Sequence, residues 1–218
     1  MLTLGFLAYH YVISSQKLRA SFARRMGQDQ GIAGWIYFQR FWGFLLYGVV
    51  PLLVFRARGY TISDLGVRFQ SGHETMLWTT VLGAAVVVMN YFVGRTASNL
   101  AMYPQIRMKS WPGRVVVASA FTWVLYLLAY EFMFRGWLLF TCLEVMDPEL
   151  AIVVNVSLYA LVHLPKGFNE AVGAIPLGVL LCWLTLQTGT FWIAFLVHSI
   201  MALSNEWFSM YYTRKQGV

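Results

Sequence analysis

Four of the ionisable side chains inside long apolar runs of this 218-residue chain stand out: Glu131 and Arg135 in LAYEFMFRGWLLF, His163 in SLYALVHLPKGFNE and His198 in AFLVHSIMALSNEW. A charged group at mid-bilayer costs roughly 2.5–3.5 kcal/mol on insertion scales, so such groups turn toward a partner or a wet cavity. Glu131 and Arg135 are four residues apart with the acid first, which puts them on one helix face where they can pair. Alone, the pair reads equally well as a self-compensating ion pair that fixes helix packing. A lone histidine on an apolar face is ordinarily a satisfied core residue. Two histidines and a carboxylate on three separate late runs are different, because one bundle interior can collect all three.

Such a set suits hydrolytic acid–base chemistry. Glu131 with His163 would activate a water, His198 would donate to a tetrahedral oxyanion, and Arg135 would orient Glu131. Glu170 lies seven residues past His163, beyond a proline and a glycine. It is a candidate second carboxylate, or else a loop acid paired with Lys166. Two histidines and a carboxylate can also bind zinc with an open position. That alternative ranks below a metal-free reading, since the chain has no HExxH helix and Arg135 beside the carboxylate disfavours an added cation. No cofactor is expected.

The elements that must position these groups are membrane helices. Hydrophobic residues make up 59% of the chain and charged residues 11%, against roughly 25% charged in ordinary soluble domains; mean hydropathy is +0.60. These values predict an all-α, polytopic integral membrane bundle with no room for a separate soluble domain. Seven apolar runs are candidate spans: 1–15 (short), 35–55, 76–94, 115–144, 149–164, 171–187 and 190–212. The run 115–144 is longer than a hydrocarbon core at 1.5 Å per residue; it must tilt, protrude or break, and Gly136 is a candidate break. The N-terminal MLTLGFLAYHYVIS reads as a retained first span rather than a signal peptide.

The net charge of +7 resides in loops such as 16–30 and 95–114 (Arg95, Arg107, Lys109, Arg114). That is a topology signal rather than a nucleic-acid footprint, and it predicts a cytoplasmic C-terminus, with loop 56–68 in mild conflict. Cys142 and Cys182 form no thiol framework and read as packing residues.

The late runs resemble the CAAX prenyl protease and bacteriocin-processing family (CPBP or ABI) of intramembrane glutamic endopeptidases. That family carries EExxxR, FxxxH and HxxxN/D on successive core helices. Here YEFMFRG aligns with the first, YALVH with the second and HSIMA with the third, over roughly residues 113 to 205. The resemblance divides the chain into N-terminal spans 1–110 of unassigned role and a protease-like core 111–218. It implies a prokaryotic cytoplasmic-membrane peptidase acting on a membrane-associated or lipid-anchored peptide, with lipid as its surroundings.

Two positions depart from the family pattern. The first motif Glu is Tyr130, and the residue four after the last histidine is Ala202. Tyr130 lies about 100° around the helix from Glu131 and reads as packing or, if it shares the cavity, as a hydroxyl donor. Asn205 follows on the same stripe as His198 but about 10 Å along, too far to replace the residue missing at 202. The departures open a second reading, a catalytically inactive scaffold that binds a partner's membrane helix.

Overall fold

The computed structural model describes residues 2–108 and 110–216; Lys109 lies outside the described residues. Every regular element among them is helical. In chain order these are α1 (Leu2–Ile13), α2 (Gln16–Met26), α3 (Gln28–Ala57), α4 (Gly72–Val93), α5 (Ala97–Met102), α6 (Gly113–Cys142), α7 (Pro148–Leu161), α8 (Phe168–Thr188) and α9 (Trp192–Gln216). A short 3-10 turn, Leu164–Lys166, extends α7.

Five stretches are long and apolar enough to cross a membrane: Gln28–Ala57, Gly72–Val93, Gly113–Cys142, Pro148–Lys166 and Phe168–Thr188. Each of the seven apolar runs is helical. However, α1 has only 12 residues, about 18 Å at 1.5 Å per residue, and α9 interrupts its apolar face with Ser204, Asn205 and Glu206.

Local chemistry explains the less regular features. Asp147 caps α7 by accepting from the Leu150 amide, with Pro148 in the first turn, where a missing N–H is harmless. In α3, Pro51 has no N–H to offer, and the preceding turn Leu45–Val49 widens to π-helix, with the Val50 amide reaching Leu45.

α6 does not break at Gly136. It runs on as a π-helical stretch from Phe132 to Leu138. The glycine serves close approach instead, since a Cβ there would stand 3.0 Å from the Leu65 carbonyl.

α3 packs on α6, α4 on α9, and α7 on α8. Two loops close the bundle at ends about 25 Å apart along α6. Loop 58–71 buries Leu65 fully and ties to the α8–α9 turn, where Thr190 Oγ1 donates to the Arg68 carbonyl at 2.8 Å and the Phe191 amide to that of Gly66 at 3.2 Å. Loop 103–112 buries Tyr103, Ile106 and Trp111 near the start of α6, with Tyr103 stacked on Trp123. The site residues lie between these two closures.

Candidate active site

α6 is buried on every side from Ala129 to Leu139, so Glu131 and Arg135 have no lipid-facing option and no solvent exposure (0% each). Arg135 Nη1 donates to Glu131 Oε2 at 3.0 Å. The other carboxylate oxygen, Oε1, is 2.5 Å from Nδ1 of His198, carried by α9. A carboxylate held by a guanidinium and an imidazole N–H takes two charge-assisted bonds, the stronger class of hydrogen bond. Removing the carboxylate would strand a buried guanidinium.

His163 stands just past the last turn of α7, where its Nδ1 lies 2.7 Å from the Tyr159 carbonyl. A carbonyl only accepts, so Nδ1 carries the proton and Nε2 is left as acceptor. Among the described residues nothing hydrogen-bonds Nε2 of either histidine, and the two residues keep 6% and 5% exposure where Glu131 has none.

Aromatic rings wall the cluster. The Tyr130 centroid is 5.8 Å from His198 and 6.2 Å from His163. Tyr159 is 4.5 Å from His163 and 6.3 Å from His198. Arg135 Cζ sits 3.9 Å above the Tyr159 ring, a cation–π contact in a dry setting. Tyr130 therefore does share the cluster with both imidazoles, as well as packing.

Of the five residues singled out in the sequence, Arg135 and His198 each bond Glu131. The imidazole on the carboxylate is therefore His198 and not, as the sequence reading expected, His163, which joins them only through the shared aromatic wall. Glu170 does not join. Its carboxylate binds Lys166 Nζ at 3.1 Å and accepts from the Tyr103 hydroxyl at 3.3 Å, the ion-pair arrangement rather than a second carboxylate beside Glu131. The reason is local: Gly167 adopts φ +109°, and α8 starts at once, placing Lys166 and Glu170 four residues apart on one side.

Ala202 packs with Tyr103, Trp123 and Leu127. Asn205 Oδ1 is buried with no partner among the described residues. Among those residues no three His, Cys, Asp or Glu side chains group as a metal would require.

Residues 110–204 match the family model described as type II CAAX prenyl endopeptidase Rce1-like. Through this segment, which is less than half of the chain, the protein is similar to the CAAX prenyl proteases. No curated protein and no solved structure matches the chain. The matched segment holds Glu131, Arg135, His163 and His198, and the chain around it is that of an integral membrane protein.

A second buried polar network escaped the sequence reading. Arg40 of α3 donates from Nη1 to the Ser119 carbonyl (2.8 Å) and hydroxyl (2.9 Å), and from Nη2 to Gln105 Oε1 (3.0 Å). Its guanidinium lies 4.4 Å from the Trp123 centroid. Glu206 of α9 accepts from the Gln105 amide at 3.1 Å. Both ionisable residues are almost wholly buried. The signal was present in the sequence: Arg40 and Glu206 stand inside the apolar runs 35–55 and 190–212 just as Glu131 stands inside its own.

Proposed function

We propose that this protein is a member of the CAAX protease family and an active intramembrane endopeptidase, and that Glu131 and His198 form its acid–base pair. The observation that carries this reading is the 2.5 Å contact between Glu131 Oε1 and His198 Nδ1, braced on the other oxygen by Arg135. Glu131 is fully enclosed, so the group that meets water is the imidazole. His198 Nε2 takes a proton from water as the water oxygen attacks the scissile carbonyl carbon. It then returns that proton to the leaving amine nitrogen as the C–N bond breaks.

Glu131 fixes the His198 tautomer and balances the imidazolium formed in that step, the logic of a carboxylate behind a catalytic histidine. His163 presents a second open Nε2 to the same space, and the Tyr130 hydroxyl is carried on a ring that contacts both imidazoles. The substrate class is a membrane-associated or lipid-anchored peptide, reached from the cytoplasmic half of the bilayer, with the C-terminus on that side.

A second reading is an inactive scaffold of the same family. It draws on the zero exposure of Glu131 and on Ala202, which puts a methyl group into an aromatic cluster where the family pattern has a polar side chain. One experiment separates the two. Purified protein in lipid is assayed on a fluorogenic lipidated peptide, beside Glu131→Gln. Loss of cleavage by about 10³-fold or more, with an unchanged size-exclusion profile, supports the peptidase. Equal rates for parent and variant would remove Glu131 from the mechanism.

A further inference from the structure

Asn155, in the third turn of α7, has no solvent exposure. It lies outside the motif residues, and no part of the proposed chemistry uses it. Its Nδ2 donates to the Phe134 carbonyl at 2.6 Å, and its Oδ1 accepts from Cys182 Sγ of α8 at 3.3 Å. Phe134 falls between Glu131 and Arg135 in the sequence, inside the π-helical stretch Phe132–Leu138.

The hydrogen bonding of that stretch is specific. The Phe134 carbonyl accepts the Leu139 amide, five residues on rather than the four of an α-helix. A carbonyl oxygen has two lone pairs, and Asn155 occupies the second from outside the helix. A polar side chain inserted into the helical ladder is a recognised cause of local distortion, and single π turns recur at functional positions.

The same face of α7 makes two further contacts with the site. Asn155, Tyr159 and His163 follow at four-residue intervals, so they lie along one stripe. Tyr159 lies beneath the Arg135 guanidinium and gives its carbonyl to His163. A buried amide in a membrane bundle is costly unless both of its ends are bonded, and here both are.

We infer that Asn155 is a positioning residue: by holding the Phe134 carbonyl it sets the widened turn that places Glu131 against His198 and Arg135. The kinetic part of this inference rests on the peptidase reading, but the geometric part does not. The test therefore has two arms, run on full-length protein in micelles.

In the first, ¹⁵N-histidine NMR follows the Nδ1–H of His198, assigned by its loss in His198→Ala. Asn155→Leu, close in shape but without a donor, is expected to shift or broaden that resonance. Asn155→Ser, which keeps a donor, is expected to move it less. In the second arm, Asn155→Leu lowers kcat by about 10- to 100-fold, the scale of a small misplacement at a reacting centre, with KM nearly unchanged. Asn155→Ser recovers part of that loss.

If Asn155→Leu does not fold, Asn155→Ala supplies a smaller side chain that also lacks the donor to Phe134, and the same resonance must still shift. A folded variant lacking the Phe134 bond whose His198 resonance stays in place overturns the inference. If the parent cleaves nothing, the peptidase reading fails alone and the resonance still decides the role of Asn155.

Discussion

Two buried networks in this molecule each join an arginine and a glutamate beside an aromatic ring, yet they differ in what they leave open. Around Arg40, the guanidinium donates to a backbone carbonyl, a serine and a glutamine, and Glu206 accepts from a loop amide. The partners belong to the chain itself, and the network closes loop 103–112 onto α3, α6 and α9. Around Arg135, the glutamate is shared between a cation and an imidazole, and the Nε2 atoms of His163 and His198 have no protein partner among the described residues. Burial of charge is common to both, so burial alone does not mark a reactive site. The difference lies in the two imidazoles beside Glu131, whose Nε2 atoms have no counterpart in the Arg40 network.

This contrast is tested most severely by Glu206→Gln. Glu206 holds the Gln105 amide inside the bundle, and a lost hydrogen bond to a charged group costs about 1.5–3 kcal/mol, so the apparent Tm in detergent should drop. Cleavage per folded molecule should hardly change. A large loss of kcat with Tm preserved would erase the distinction between the two networks.

His163→Ala probes the other side. Here the expected result is a rate lower by about 10²-fold, the low end of general acid–base contributions, with a modest change in Tm. The assay is run with and without a strong chelator, and the metal-free reading requires parent activity to be insensitive to it.

Tyr130→Phe sharpens the picture of the aromatic wall. If the hydroxyl donates to the oxyanion, kcat falls by about 10-fold or more; if the ring only packs, kcat stays at the parental value while Tm shifts slightly.

The smallest effect belongs to Glu170→Gln. Lys166 and Glu170 are about a third exposed, and such pairs contribute at most about 1 kcal/mol. Cleavage within about twofold of parent is expected; a loss like that of Glu131→Gln would restore Glu170 as a second catalytic carboxylate.

The helical architecture was legible because apolar runs of membrane length leave little choice of secondary structure. The site was legible for a related reason: Glu131, Arg135, His163 and His198 are each penalised for facing lipid, so the fold gathers them. Glu170 was ambiguous because its partner depends on a backbone turn at Gly167, and the sign of φ there is not written in hydrophobicity. Arg40 and Glu206 were overlooked although the same penalty applies to them; no motif drew attention to either. The π-helical stretch in α6 was hidden for a different reason. Its widening coincides with a contact from α7, 21 residues downstream, and a local pattern carries no trace of it. Gly136 was read as a candidate helix break when its lack of a side chain serves a neighbour.

That neighbour carries a consequence of its own. Leu65 belongs to a connection upstream of the recognisable segment 110–204, yet its carbonyl rests against Gly136 and its side chain joins the core around Tyr130 and Phe134. Homology and cooperativity therefore have different borders in this polypeptide. A fragment trimmed to the matched portion would leave an unfilled hole beside α6, and heat should melt the whole chain in one transition spanning both.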